Sequence, residues 1–176
     1  MAHHPVEGAA CGMTTLYFKD NFFSSGETPI TDPNGHETGY LNLHGMFSSG
    51  VTVHDDAGRR NAAGKFRFFS NAWTVTDRHE SELGTLRPRF AFFKQRYVYA
   101  SRRHGEFTIE CPAFSREYVV RDGADREVAR FRRTSGMFAS GAYELNNTSK
   151  LADEEMIAVV MGVHAIVKRQ QSAAAT

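Results

Sequence analysis

Residues 151–169 read LADEEMIAVVMGVHAIVKR, and this stretch near the carboxyl terminus decides the fold. Between Met156 and Val167 every residue is apolar or small except His164. Three acidic residues precede this run and two basic residues follow it, which suits the dipole of a helix. The run is well under the roughly 20 residues that a membrane-spanning helix needs. The stretch is therefore interpreted as a helix that protein encloses on all sides.

A fully buried strand is the alternative interpretation of the same residues, because several of them are β-branched valine or isoleucine. The length of the stretch and its charged ends favour the helix. Ser149 or Thr148 is predicted to cap the first turn of that helix, since both precede its acidic start.

The composition indicates a single globular domain. The chain has 176 residues, 41% of them hydrophobic, and its 14 phenylalanines favour strands. Its formal net charge of +1 neither favours nor excludes an anionic partner, so any such partner must depend on a local patch. Cys11 and Cys111 are too far apart in the sequence to suggest a disulfide framework. No apolar run follows a basic amino-terminal stretch, so no signal peptide is predicted and a cytoplasmic location is expected.

The domain boundaries follow from periodicity. Residues 1–13 lack any pattern and are predicted to be a disordered tail or a leftover of cloning. Residues 14–170 form the predicted domain, and residues 171–176 a second disordered tail.

A phenylalanine, usually followed by serine or another small or polar residue, recurs along the chain at nearly fixed spacing. Successive members of this set are 24, 22, 24, 21 and 24 residues apart. Polar turn sequences, such as the DPNG of residues 32–35 and the DDAG of residues 55–58, lie between them. A fixed period indicates a repeated unit, here strand, turn, strand and corner. The phenylalanines at the corners are Phe23, Phe47, Phe69, Phe93, Phe114 and Phe138.

The strands within these units show alternation of period two. In Lys65-Phe66-Arg67-Phe68 the cations fall on one face and the aromatic rings on the other. This pattern is typical of half-buried strands with aromatic side chains inward. Five full units and one strand at each end predict about twelve short antiparallel strands.

Simple geometry then favours a closed barrel. Twelve strands spaced by about 4.8 Å and tilted by about 40° close into a ring of radius roughly 12 Å. A helix of radius about 5 to 6 Å leaves room for one inward layer of side chains. The predicted fold is a mostly β protein: a closed twelve-stranded antiparallel barrel around a central hydrophobic carboxyl-terminal helix. The alternative is a sandwich with the helix outside, but this helix lacks the polar face that such packing requires.

The sequence resembles the LURP-one-related family. The resemblance rests on the repeated phenylalanine corners, on residues 39–48 (GYLNLHGMFS) and 89–97 (RFAFFKQRY), and on the acid-led apolar helix. It covers roughly residues 14–168 and implies the fold of the tubby carboxyl-terminal domain, which phospholipid scramblases share. Tubby domains bind phosphoinositide headgroups through paired basic residues on strands. The resemblance therefore implies architecture first, and a lipid headgroup as one class of ligand.

Pairs of basic residues two positions apart share a strand face and are the candidate binding residues. A phosphorylated headgroup requires several cations that converge on one spot, preferably arginines. The pairs Lys65/Arg67 and Arg87/Arg89 are one repeat apart in the sequence. Neighbouring strands are therefore predicted to present them together. The alternative is an ordinary solvated exterior in which nearby acids pair with these bases at little energetic worth. The candidates are Lys65, Arg67, Arg87, Arg89, Lys94 and Arg96.

Signals for catalysis are weak. The sequence has neither an H-x-x-x-H nor a C-x-x-C spacing, so no metal centre and no cofactor are predicted. Cys111 is interpreted as an inert buried thiol and His164 as a core histidine. Glu154 and His164 are the residues that an enzyme hypothesis would use.

The leading hypothesis is a non-enzymatic binding module that recognises a phosphoinositide or other anionic lipid headgroup, or a protein partner, on the barrel exterior. Such a protein would be cytoplasmic or peripheral at a membrane, with no transmembrane segment. The alternatives are a carrier of an apolar ligand such as a lipid, a scramblase-like lipid protein, and an uncharacterised enzyme. Nucleic acid is not an expected partner, because neither net charge nor an aromatic-basic motif favours it.

Overall fold

The computed structural model describes residues 12–19, 26–44, 50–89, 95–112, 117–134 and 142–174. Twelve strands precede one helix, α1 (Asp153–Ala174). The strands are β1 (Thr14–Phe18), β2 (Gly26–Thr31), β3 (Glu37–Leu43), β4 (Gly50–Asp55), β5 (Arg60–Phe66), β6 (Trp73–Asp77), β7 (Glu82–Arg89), β8 (Gln95–Ser101), β9 (Gly105–Cys111), β10 (Tyr118–Arg121), β11 (Glu127–Arg133) and β12 (Tyr143–Asn147).

The strands form one closed antiparallel barrel in which each pairs with its neighbours in sequence. The ring closes between β1 and β12, where Leu16 lies opposite Leu145. Helix α1 lies inside, and its residues from Glu155 to Ile166 are buried except for His164. The predicted twelve-stranded barrel around a hydrophobic helix is confirmed, and the sandwich alternative is excluded because the sheet has no free edges. Among the described residues, α1 is the one helix, and it is not long and apolar enough to cross a membrane.

The two rims of the barrel are built differently. The upper rim is defined here by the connections that follow the even-numbered strands, and the lower rim by those that follow the odd-numbered strands. Four upper-rim connections begin with an aspartate whose carboxylate accepts backbone N–H groups two or four residues ahead. These turns, which the sequence predicted, start at Asp32, Asp55, Asp77 and Asp122. Of the predicted phenylalanine corners, Phe69 lies at the lower rim, and Phe23, Phe47, Phe93, Phe114 and Phe138 lie outside the described residues.

The connection from β12 to α1 differs from the prediction. Thr148 donates its hydroxyl to the carbonyl of Val128 on β11 at 2.9 Å, and Ser149 bonds Asn147 within the turn. The prediction that either residue caps the helix is wrong, because α1 begins only at Asp153. Instead the Asn147 amide donates to the Asp153 carboxylate at 2.8 Å and to the Leu151 carbonyl at 3.1 Å. The start of the helix is therefore anchored to the last strand of the barrel wall.

The other end of α1 extends further than predicted. The helix continues to Ala174, so residues 171–174, predicted as a disordered tail, are helical. Residues 168–174 are exposed. Alanine and glutamine favour helix, and a buried helix provides the nucleus from which exposed turns propagate. Lys168 and Arg169 consequently do not occupy the last turn, and their role is at the lower rim.

Helix α1 lies off centre, against β4, β5, β6 and β7. The wall on that side carries small inward residues, among them Ala62 and Gly64 on β5. The opposite side is filled by aromatic rings. Phe131 on β11 stacks on Tyr143 at 5.2 Å and on Tyr118 at 5.8 Å between ring centroids. Residue size on the inner face therefore sets the position of the helix.

Trp73, fully buried on β6, fixes the helix against this wall. Its indole N–H donates to the carbonyl of Ala158 in α1 at 3.1 Å. The ring also lies against two glycines, because a Cβ added at Gly162 would stand 2.5 Å from Trp73 Cδ1 and one at Gly64 2.5 Å from Nε1. A polar atom on a large apolar ring is thus satisfied in the middle of the core.

We expect Gly162→Ala to destabilise the protein. Alanine favours helix over glycine by about 1 kcal/mol, and overpacking in a close-packed core costs about 1 to 3 kcal/mol. Because the added Cβ would stand only 2.5 Å from the fully buried Trp73 ring, we expect the high end of that cost and a net loss of up to about 2 kcal/mol. Urea denaturation measures it. Gly123→Ala is the matched control, because a Cβ there meets no atom within 4 Å and the variant should unfold like the wild type. Full stability of Gly162→Ala would contradict the packing described above.

Candidate functional site

The basic face is the outer surface formed by β5 with the residue that follows it, by β7 and by β8. It carries Lys65, Arg67, Arg87, Arg89 and Arg96. All five residues are exposed, and Lys65, Arg87 and Arg96 each lie next to a buried inward residue, as strand alternation requires. Lys94, the sixth predicted residue, lies outside the described residues. The structure therefore places the remaining five candidates on one side of the barrel exterior.

The register decides which of these cations lie close together. Arg89 on β7 is directly opposite Arg96 on β8, and Arg87 is the next outward residue on β7. Lys65 and Arg67 lie further from the cations of β7 than predicted, because β6 lies between β5 and β7 in the sheet. Lys65 aligns with Thr74 of β6, which in turn aligns with Thr85 of β7. Two strand spacings, about 10 Å, separate Lys65 from β7, a gap that two long side chains can bridge onto one ligand.

Two members of the basic face are neutralised. Arg96 forms an ion pair with Glu110 at 2.9 Å, and Arg67 reaches Glu82 at 3.4 Å. Among the described residues no acidic side chain forms an ion pair with Lys65, Arg87 or Arg89. Pairing with nearby acids, which the alternative of an ordinary solvated exterior expected, is present at Arg96 and Arg67. Whether this surface binds a ligand stays a prediction.

Arginines elsewhere on the barrel are mostly paired. At the upper rim Arg59 binds Asp55 at 2.8 Å and Arg126 binds Asp122 at 2.6 Å. On the outside of β11, Arg130 lies between Glu127 and Glu117. Each of these pairs adds little stability at an exposed site, but together they leave little uncompensated charge around them. The positive charge on β5 and β7 is therefore a local excess in a chain that is nearly neutral overall.

The lower end of α1 adds two cations, Lys168 and Arg169, whose charge in the sequence indicated only an interaction with the helix dipole. The guanidinium of Arg169 lies 4.1 Å from the centroid of the Phe66 ring, and it donates to the Ser70 carbonyl at 3.2 Å. Lys168 is exposed beside it. Their spacing from the apolar run could have suggested a position at the barrel mouth, but only the direction of the helix places them beside β5.

A second candidate site is a polar cleft of about 370 Å³ at the upper rim, beside the start of α1. Its walls carry both signs of charge, including Arg78, Arg103, Lys150, Asp77, Glu154 and Glu155. Glu154, named by the enzyme hypothesis, accepts a hydrogen bond from Asn61 at 3.1 Å. His164 lies in α1 more than two turns from Glu154. The two residues of the enzyme hypothesis therefore do not form one site.

Glu155 is the buried acid of this cleft. The Tyr99 hydroxyl donates to its carboxylate at 2.6 Å. Burial raises the pKa of Glu155, although the hydrogen bond from Tyr99 and the charge of Arg103 act in the opposite direction. Burial also raises the pKa of Tyr99, and the nearby carboxylate adds to that increase. The pair is a hydrogen-bonded structural contact between β8 and α1.

Potential metal ligands do not cluster in the described ranges: no three His, Cys, Asp or Glu side chains there could hold one ion. Cys111 is buried, and burial raises the pKa of its thiol. A high thiol pKa lowers the fraction of reactive thiolate, in keeping with the interpretation as an inert core residue.

Comparison with known proteins gives one family and one fold. The family model described as LURP-one-related matches residues 14–164. An X-ray structure of a protein from Arabidopsis thaliana is similar, with a TM-score of 0.53 and 16% sequence identity over 93% of each chain. At that identity the likeness shows the shared fold alone. A comparison with curated proteins finds no match.

The Glu155–Tyr99 contact predicts a specific pH dependence. A carboxyl with a raised pKa binds its proton more tightly in the folded than in the unfolded state, so its contribution to stability falls as the pH rises above the ordinary value of 4.5. Glu155→Gln should therefore melt above the wild type near neutral pH, and the difference should shrink toward acid pH. Tyr99→Phe should lose about 1 to 3 kcal/mol, because it removes a donor to a buried acid. A constant difference between Glu155→Gln and the wild type at every pH would refute this assignment.

Proposed function

Because the chain belongs to the LURP-one-related family, we propose that it is a non-enzymatic binding module whose basic face recognises phosphorylated, anionic lipid headgroups. The carrying observation is that Lys65, Arg87 and Arg89 are exposed without an ion pair among the described residues, on a barrel whose other arginines are largely paired. The family and the barrel fold support the proposal of a tubby-like binding domain.

The geometry of the basic face suits a phosphate ester. Arginine guanidinium groups bind phosphate oxygens in pairs of parallel hydrogen bonds. Arg87 and Arg89 stand two residues apart on one strand, and Arg96 faces Arg89 across the ladder. Thr74 of β6 aligns with Lys65 on one side and with Thr85 of β7 on the other, and the Thr85 hydroxyl donates to Glu82 at 3.2 Å. A ligand with several phosphates would contact three strands at once.

The surface is held by a rigid support. Inward residues that alternate with these cations, such as Gly64 and Leu86, pack against Trp73 and the rest of the core. A site on strands keeps its side chains in more constant positions than a site on loops. The same packing argues against the carrier hypothesis on this side of the barrel, because α1 and the wall are in direct contact there.

Charge alone provides moderate affinity. A basic residue near an anionic membrane surface contributes about 1 kcal/mol, so three unpaired cations contribute about 3 kcal/mol, roughly a hundredfold in affinity. This attraction is screened within a Debye length of about 8 Å at physiological salt. Binding should therefore weaken strongly as salt is added and should depend on the charge of the lipid.

The double variant Arg87→Gln/Arg89→Gln tests this proposal. It should bind anionic vesicles about 30-fold more weakly than the wild type, since two charges worth about 1 kcal/mol each are removed. Vesicle co-sedimentation with phosphatidylcholine, with added phosphatidylserine and with added phosphatidylinositol phosphates measures the binding.

Arg78→Gln/Lys150→Gln is the matched control. It removes the same charge from exposed positions at the upper rim and should retain wild-type binding. If both double variants lost the same vesicle affinity, the binding would depend on net charge alone and not on the basic face. Wild-type binding by the Arg87/Arg89 variant would overturn the headgroup site.

A further inference from the structure

The connection between β5 and β6 exposes two adjacent aromatic rings at the lower rim. The side chains of Phe68 and Phe69 are 84% and 95% exposed, and with Met13 they are the exposed large hydrophobic residues among those described. Phe69 is a predicted corner, whereas the alternation in sequence placed Phe68 inward with Phe66. That expectation is wrong for Phe68, because β5 ends at Phe66 and the chain turns away from the core.

The turn that carries these rings is closed by its own hydrogen bonds. The Arg67 N–H donates to the Ala72 carbonyl at 2.8 Å, and the Ser70 N–H donates to the Arg67 carbonyl at 3.1 Å. The Ser70 hydroxyl accepts from the Ala72 N–H at 3.0 Å. Phe69 itself has φ +53°, a left-handed conformation that a bulky side chain adopts at a cost in free energy. The fold thus accepts local strain in a bonded turn that holds a ring in solvent.

Cations surround the same turn. Lys65 and Arg67 precede it on the chain, while Lys168 and Arg169 approach it from α1. Arg169 is tied to the turn directly, through its hydrogen bond to the Ser70 carbonyl. Exposed aromatic side chains beside basic residues, here Lys65, Lys168 and Arg169 together with the Glu82-paired Arg67, are the combination found where proteins lie on anionic membranes.

We propose that the Phe68–Phe69 turn inserts into the interfacial layer of an anionic bilayer while the flanking cations contact lipid headgroups. This inference rests on the proposed function and adds the bilayer itself, rather than the free headgroup, as the partner. A tip with such high exposure is convex, and a convex apolar tip gains most from a layer that deforms around it. An acidic protein would instead need a preformed pocket for both rings.

The insertion determines the orientation of the barrel. The lower rim would face the membrane, with the exposed end of α1 and the basic face beside it. The upper rim, with its paired arginines and the polar cleft, would face the aqueous side. The aromatic tip also supplies the second attachment signal that peripheral proteins need, because charge alone gives weak and reversible binding.

The variant Phe68→Ser/Phe69→Asn tests the insertion against the headgroup site. We expect its affinity for phosphatidylcholine vesicles containing phosphatidylinositol phosphates to fall on the order of tenfold per ring, since each ring loses apolar burial. Its affinity for soluble inositol trisphosphate should equal that of the wild type, because the basic face is intact. Met13→Ser is the matched control: it removes an exposed apolar side chain at the upper rim and should bind vesicles like the wild type.

The melting temperature of the same variant measures the backbone strain at Phe69 independently of binding. Asparagine tolerates the left-handed conformation better than phenylalanine, so the variant should melt at or above the wild-type temperature. A loss of vesicle binding in a fully folded, more stable protein can then be assigned to the rings. A markedly lower melting temperature would mean that the rings support the fold, and it would overturn the inference.

The remaining outcomes separate the two proposals. If the ring variant binds vesicles as the wild type does while Arg87→Gln/Arg89→Gln does not, the insertion fails and the headgroup site stands. If the wild type binds neither vesicles nor inositol trisphosphate, both fail. Binding of a polyglutamate peptide without vesicle binding would assign the surface to an acidic protein. Self-association that the ring variant abolishes would assign it to a second copy of the chain.

Discussion

The position of Trp73 between two glycines is the constraint on which the architecture depends. Its ring occupies the space that a side chain would need at Gly64 on the wall and at Gly162 on the helix. Its indole N–H also donates to the Ala158 carbonyl, and this hydrogen bond fixes the orientation of the ring. A barrel of twelve strands is too wide to be filled by its wall residues, and this contact joins the central helix to one side of it.

The eccentric helix gives the two sides of the barrel different properties. Where α1 touches the wall, Ala62 and Gly64 of β5 leave room for the helix and Trp73 of β6 packs directly against it. Across the barrel, the stacked rings of Tyr118, Phe131 and Tyr143 fill the gap. The unpaired cations of the basic face lie on the outside of the wall that α1 touches. Because inward and outward residues alternate on a strand, the same strands that receive the helix also present the charges.

The rims divide structural and binding roles in a similar way. At the upper rim, aspartates close the turns and pair with arginines, and Glu155 joins the helix start to Tyr99. Several charges there are paired within the protein, and Arg78 and Lys150 remain exposed at the polar cleft. At the lower rim around β5 and β6, two rings and four cations face outward, and the backbone of Phe69 is strained. The two rings contact each other at 4.1 Å between centroids and hydrogen bonds close the turn, yet both rings remain exposed to solvent. Backbone strain at an exposed aromatic tip is typical of a surface that has a partner.

The sequence by itself determined the barrel and its central helix, because the period of the strands, the polar turns and an apolar helix without a polar face allow few other arrangements. It also identified the outward cations, since alternation assigns a residue to a face without knowledge of its neighbours. It did not determine the separation of Lys65 from Arg87, the pairing of Arg96 with Glu110, or the outward turn of Phe68, and it misplaced the cap of α1. These depend on strand register, on where a strand ends and on the path of the helix, and therefore on contacts between residues distant in sequence. Only the closed barrel brings Arg169 beside Phe66 and Ser70, across about a hundred residues of chain, because packing rather than local propensity sets the exit of the helix.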